Sequence, residues 1–443
     1  MGGRSKRIVR IVLALAVVLV GGAMLVPLEP RAAEDPLPIA KAESVGMSSE
    51  RLQRITAFIK EYIDRDQIAG AVTLVARKGK VVHFEAQGYR YKEQRLPMEK
   101  DAIFAIASMT KPIVSTALMM LFEDGRFLLD DPIEKWLPEY KDHHVLVHDG
   151  PQTRRVPAAR PVTIRHVLTH TSGLSLSPDE MGLGQDELKQ VRGDGNFETL
   201  AERLRHAAVI PGAFHPGDHW QYGSSTDYVA VLVEKMSGLT IDEFIGKRIF
   251  EPLGMVDTHY NIPKEKVSRV AALYTPDEQG RIKLRRAPEY REATTYFPGV
   301  GGLNSTASDY FRFAQMLLNG GEYNGARLLG RMTVDLMISN HIGAGKRVYI
   351  RSDGYGFGLG FGVLTDPAKA HDALSIGSFT WGGANGTLFW VDPVEDLIGI
   401  LMIQINPYNH FSIRPLFSNV VTQAIVDSLA DQKPRVMGYA TPH

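Results

Sequence analysis

Ser108, Lys111 and Pro112 stand together in "FAIASMTKPIV", and this spacing occurs once in the chain. Serine is a poor nucleophile until a base takes its proton. A lysine can be that base only when burial or neighbouring charge keeps it neutral. Residues three apart on a helix face the same way, so Lys111 would sit one turn above Ser108. Proline lacks an N–H and is tolerated in the first turn of a helix. Pro112 therefore predicts that a helix begins close to Ser108. Its free N–H groups and the positive end of its dipole would lie at the serine. The Ser108 N–H could then donate to an oxyanion. The pair also has a plain reading, a capping serine beside a surface lysine.

Two further stretches bear on that choice. "HWQYGSSTDYVAVLVEKMSG" puts Tyr222 just ahead of a helix, with Ser224 two residues on. Such a tyrosine can share a proton with a serine–lysine pair, or it can be a buried packing residue. "SFTWGGANGTLFWVDP" puts Trp381, Gly382 and Gly383 at a strand edge, where glycines let a substrate approach the backbone. The Ala384 N–H is a candidate second oxyanion donor.

The elements that must position these groups are legible in outline. "SSERLQRITAFIKEYIDR" carries Leu52, Ile55, Phe58, Ile59 and Ile63 at helical spacing, with Ser49 as a cap. "AVTLVARKGKVVHFEAQGY" reads as a hairpin turning at Lys-Gly. "IVSTALMMLFEDG" is an apolar helix stopped by Gly125. "STASDYFRFAQMLLNGG" is a helix with Thr306 and Asp309 as its capping pair and Gly320 as its stop. "GYGFGLGFGVL" has glycine at every second position from Gly354 to Gly362, which predicts a strand with one bare face. "NGTLFWVDPVEDLIGILMIQ" predicts a hairpin with Asp-Pro in the turn, and "RPLFSNVVTQAIVDSLAD" a closing helix.

These elements divide the chain. Residues 48–129 and 291–432 form an α/β lobe built from both chain ends, which holds the Ser108 helix. Residues 130–290 carry helical stretches and no strong strand signal, and form a mostly helical lobe. Residues 34–47 read as a polar linker. Residues 1–33 have a basic start, the apolar run "IVLALAVVLVGGAMLV" and small residues near Ala33. That pattern reads as an export signal, or as an uncleaved anchor, and in either case predicts a periplasmic or secreted protein.

Composition removes other classes. The 443 residues are 44% apolar, enough for a substantial core. Lys plus Arg and Asp plus Glu are 50 each, so the composition suggests no electrostatic footprint for nucleic acid. Cysteine is absent, which excludes disulfides, thiolate metal sites and a cysteine nucleophile. His143, His144 and His148, and the pair His166 and His170, lack an HExxH pattern or carboxylate partners, so they read as loop and capping residues. No metal or cofactor is expected. No G-x-S-x-G elbow is present.

The order Ser108-x-x-Lys111, Tyr222-x-Ser224, Trp381-x-Gly383 resembles the serine β-lactamase and penicillin-binding-protein superfamily. It is most similar to the class C-like branch and the family VIII carboxylesterases. "LTHTSGL", "FEPLGM" and "GGLNSTASDYFRFAQMLLNGG" support this, over roughly residues 45–430. The resemblance implies an α+β fold, an antiparallel sheet flanked by helices plus a helical lobe, with the site at their junction. It implies Ser108 as nucleophile, Lys111 and Tyr222 as base, and Ser224, Trp381, Gly382 and Gly383 as substrate-binding residues. Two departures matter. The β-lactamases have asparagine where Ser224 stands, and Lys-Thr-Gly where Trp381-Gly382-Gly383 stands. Losing that lysine removes a partner for a substrate carboxylate, and favours an esterase acting on short-acyl neutral esters. The alternatives are a D-amino-acid peptidase or amidase, a weak β-lactamase, or a non-hydrolytic penicillin-binding relative.

Overall fold

The computed structural model describes residues 36–150, 152–174, 176, 197–343, 345–349 and 351–428. The export-signal reading of residues 1–33 lies outside them. The first helix, α1 (Ser49–Asp64), buries Leu52, Ile55 and Ile59 along one stripe. Its cap is Ser48, one residue earlier than the sequence suggests. Ser48 Oγ accepts from the Arg51 N–H, while Ser49 is taken up by the Glu43 carboxylate. The hairpin β1 (Gly70–Arg77) and β2 (Lys80–Tyr91) follows. Its turn residues Lys78 and Gly79 both have positive φ, 50° and 71°, the turn whose twist matches paired strands.

The far end of the chain completes the sheet. The remaining strands are β3 (Leu96–Pro97), β4 (Tyr355–Phe357), β5 (Gly362–Leu364), β6 (Phe379–Gly382), β7 (Leu388–Asp392) and β8 (Leu397–Met402). They run in the order β4-β5-β6-β7-β8-β1-β2-β3, and each neighbouring pair is antiparallel. β1 meets β8 with Val72 opposite Met402 and Arg77 opposite Leu397. Every residue of β1, β7 and β8 is buried, so the centre of the sheet is covered on both faces. Two helices, α2 (Thr110–Glu123) and α3 (Ser225–Ser237), are largely buried, and contacts to the sheet are made by α1, α4 (Ala307–Leu318) and α5 (Ile413–Thr422). α2 and α3 pack against each other, and α4 lies on β1, β7 and β8. This is an α+β fold, an antiparallel sheet flanked by helices.

Three segments differ from the sequence reading. Residues 354–362 form two short strands, β4 and β5, rather than one. The chain turns between them at Gly360, with φ 102°. A Cβ there would lie 2.4 Å from Ser115 Oγ of α2, and one on Gly358 would lie 2.2 Å from the Met337 carbonyl of the helix Arg331–Met337, so helices approach closely at these glycines. The middle of the chain carries short helices at Ile164–Leu168, Leu200–Ala207 and Ile241–Ile245, and also two hairpins. These pair His144–Asp149 with Gln152–Pro157, and Leu273–Pro276 with Ile282–Arg286. Gln152–Pro157 has no buried residue, and Ile282–Arg286 has one, so neither leaves an apolar alternation to read. Finally, residues 36–47 are not a free linker. Ile39 bridges Val81, Met47 bridges Ile425, and Ala42, Val45 and Met47 are buried. Among the described residues no helix is long and apolar enough to cross a membrane.

Candidate active site

Ser108 sits in a 3-10 turn, Ala107–Met109, that runs into α2. Pro112 is the third residue of that helix, where the N–H it lacks would be unpaired anyway. Ala107 takes φ 45°, a left-handed conformation that costs a residue with a Cβ about 1–3 kcal/mol. The surroundings impose it. Asn385 Nδ2 and Gln404 Nε2 each donate to the Ala105 carbonyl at 3.1 Å. Thr387 Oγ1 donates to the Ile106 carbonyl at 3.3 Å, and the Ile106 N–H reaches the Leu303 carbonyl at 3.0 Å. The chain is thus gripped on both sides just before Ser108.

Lys111 is 3% exposed. Its Nζ lies 3.1 Å from Ser108 Oγ and 2.8 Å from the Val300 carbonyl. It also stands 4.7 Å above the centre of the Tyr222 ring. Lys111 is therefore not the surface residue of the plain reading. The Val300 carbonyl is itself held, because the Val300 N–H donates to Asp227 Oδ1 at 3.0 Å. Asp227 lies on α3 and is fully buried, and desolvation pushes its pKa up to about 6. Sequence reasoning passed over it. The signal was a lone carboxylate in the apolar helix "STDYVAVLV".

Asp227→Ala should leave the Val300 N–H unpaired, lower stability by about 1–3 kcal/mol and loosen Lys111. Asp227→Asn keeps an acceptor and should retain most activity. The two also differ in pH response. The native carboxyl holds its proton to about 6, whereas the unfolded chain releases it near 3.8. Protons are then bound by the native state in excess, so wild-type stability falls as pH rises through that window. Denaturant midpoints for Asp227→Asn should lack this fall. A parallel curve for the two proteins would contradict the buried carboxyl.

Tyr222 is wedged among rings. His170 is 5.0 Å away, Trp381 5.1 Å, and Trp220 stacks at 6.2 Å. Its Oη accepts from Trp381 Nε1 at 3.3 Å. Among the described residues that is the partner of the hydroxyl, so Tyr222 meets Lys111 through its ring face, not through the O–H that the sequence reading used. The histidines have local tasks. His170 packs under Tyr222, and His166 Nδ1 accepts from the Thr163 N–H at its helix start. Among the described residues no cluster of histidines and carboxylates could hold a metal ion.

The edge of β6 closes the site. A Cβ on Gly383 would fall 2.3 Å from the Ile106 carbonyl, so only glycine allows the 383–387 turn to reach the Ser108 segment. The Gly383 N–H is used by the Thr387 carbonyl at 2.8 Å. The N–H groups of Ser108 and Ala384 donate to no described group, and both residues line one cavity of about 420 Å³. Tyr222, Trp381, Gly382 and Gly383 line it too. Ser224 does not. Its Oγ accepts from the Leu176 N–H at 3.2 Å, so it ties down a neighbouring loop instead of facing substrate.

Two further cavity residues were invisible in the sequence, Arg351 and Arg414. Each is a single arginine in an unremarkable stretch, and only the fold brings it to Trp381. Arg414 stacks 3.6 Å from the Tyr408 ring centre. It donates to the carbonyls of Gly383, Thr387 and Gly386, and so clamps the turn that carries Ala384. Burial pulls its pKa down to about 9, still above neutrality. The site is thus not stripped of positive charge by the loss of a lysine at Trp381.

Residues 55–416 match the Beta-lactamase family. The chain belongs to that family. It is a serine hydrolase. Protein Rv1367c of Mycobacterium tuberculosis is 35% identical over 362 residues, 79% of this chain and 88% of that protein. Esterase EstB of Burkholderia gladioli is 31% identical over 371 residues, 79% of this chain and 89% of the esterase. Among solved structures, EstCE1, a hydrolase with promiscuous acyltransferase activity, aligns with a TM-score of 0.73 at 25% identity. That alignment covers 84% of this chain and 99% of EstCE1. The likeness to an esterase places this beta-lactamase-family chain beside the esterase-like branch.

Proposed function

We propose that the protein is a carboxylesterase of short-acyl esters that works through an acyl-enzyme on Ser108. One observation carries this reading. Ser108 Oγ and Lys111 Nζ lie 3.1 Å apart at a helix start, in a cavity where two backbone N–H groups have no described partner. Ser108 Oγ attacks the ester carbonyl while Lys111, assisted by Tyr222, takes its proton. The carbonyl oxygen becomes an oxyanion between the Ser108 and Ala384 N–H groups. Losing one such donor typically costs about 2.7–4 kcal/mol of the barrier reduction. The proton passes to the departing alcohol. Water then attacks the acyl-serine while the same base takes its proton; the bond to Ser108 Oγ breaks, the acid leaves and the base returns the proton to Oγ. The relatives named esterases support an ester over a lactam or amide.

The test compares nitrophenyl butyrate with its nitroanilide, a D-alanyl peptide and nitrocefin, with mass spectrometry of the Ser108 peptide. The ester should lead by at least about 10²-fold in kcat/KM, and an acyl adduct should map to Ser108. A D-alanyl peptide or nitrocefin turned over as fast as the ester would replace this reading with an amidase or β-lactamase. We also propose that the protein acts outside the cytosol, on the leader-like pattern of residues 1–33. Recovery of the activity in the cytosolic fraction of the native cells would refute that.

A further inference from the structure

We infer that the cavity beside Ser108 selects esters that carry a carboxylate, and that Arg351 binds that group. This deepens the esterase reading and rests on it. Arg351 shares the cavity with Ser108. Its guanidinium carbon lies 5.8 Å from both the Trp381 and the Tyr355 ring centres. Its Nη2 donates to Thr380 Oγ1 at 3.1 Å. Two rings and one hydrogen bond flank the group. Nε and Nη1 have no described acceptor, and among the described residues no carboxylate comes within ion-pair distance of Arg351. A planar fork with free donors, held in place, is the arrangement that suits a carboxylate.

The other charges in the cavity do not supply that partner. Asp372 is the one described acid in its lining. Its oxygens already accept from Tyr355 Oη at 2.9 Å, the Leu374 N–H at 3.3 Å and Ser418 Oγ at 3.4 Å. Arg414 spends its donors on backbone carbonyls, yet its charge adds to the field. Two guanidinium groups against one carboxylate leave the lining net positive. A contact path joins this charge to the chemistry. Arg351 faces the Trp381 ring, Trp381 Nε1 holds Tyr222 Oη, and the Tyr222 ring lies under Lys111 Nζ beside Ser108. Arg351, Trp381, Tyr222 and Ser108 line one cavity, so a substrate held there meets both the charge and the serine.

The experiment measures kcat/KM for matched esters. One arm varies the acyl part, with nitrophenyl hydrogen glutarate against nitrophenyl valerate. The other varies the alcohol part, with 4-carboxyphenyl butyrate against phenyl butyrate. In at least one arm the wild type should prefer the acid at least about 10-fold, with the preference shrinking at high salt. Arg351→Met should erase the preference, and Arg351→Lys should keep part of it. The wild-type ratios decide the matter even if Arg351→Met does not fold. No preference in either arm, or a preference that Arg351→Met leaves intact, overturns the inference. Neutral esters turned over through Ser108 without any preference for acids would sink this inference and leave the esterase reading standing. Turnover that survives in Ser108→Ala would sink the esterase reading itself.

Discussion

Ser108→Ala should abolish turnover and leave the fold in place. The substitution removes the proposed attacking oxygen, and among the described residues no second serine, threonine or cysteine bonds to Lys111 Nζ. In hydrolases whose parts act as a unit, loss of the nucleophile costs on the order of 10⁴–10⁶ in kcat. Any residual rate would come from the proposed oxyanion donors, which are backbone groups and survive the change. Stability should change little. Among the described residues Ser108 Oγ makes one hydrogen bond, accepted from Lys111 Nζ, at the wall of a cavity. Lys111 keeps the Val300 carbonyl when the hydroxyl is gone. Thermal midpoint, kcat and mass spectra of the substrate-treated variant check this together. A variant with an unchanged midpoint and near wild-type kcat would remove Ser108 from the mechanism.

The second large effect concerns the base. Lys111→Met keeps the stem volume, removes the amine and should lower kcat by at least about 10²-fold, as loss of a general base does. It also leaves the Val300 carbonyl without its donor, at a cost of about 1–3 kcal/mol in stability. Tyr222→Phe separates two roles of the tyrosine. The ring under Nζ stays, so an effect of the π face is retained. The bond to Trp381 Nε1 and the acidic proton are lost. A fall of about 10²-fold in Tyr222→Phe would show that the hydroxyl moves a proton, while near wild-type kcat would reduce Tyr222 to a platform. If the hydroxyl and the amine work as one unit, the double variant should lose far less than the product of the single losses. Full multiplicativity would mean that they act separately.

How much of this was legible follows from what kind of signal each feature leaves. Pro112 dated the start of α2, and with it the partnership of Ser108 and Lys111, because proline's geometry is local. The central strands were legible because full burial writes long apolar runs, as in Leu397–Met402. The exposed hairpins in the middle of the chain left no such run. Ser48 and Ser49 differ only in what Glu43 does, which is a tertiary fact. Asp227, Arg351 and Arg414 are single charged residues whose meaning depends on which backbone or ring they meet. No spacing rule reaches them. Ser224 misled for the converse reason: its place in a motif was visible, but the loop that claims its hydroxyl was not.

The joint between β1 and β8 has a consequence for how the protein comes into being. During synthesis the hairpin of β1 and β2 emerges early, while β8 leaves the ribosome only after most of the chain. Until then β1 offers a bare row of backbone N–H and C=O groups carrying "AVTLVA", a template for pairing with another chain. So distant a pairing also makes folding slow. A nascent chain stopped anywhere before Leu397 lacks the partner strand altogether. Such fragments should aggregate rather than fold partway, and the complete chain needs protection from its own early hairpin until its last third has been made.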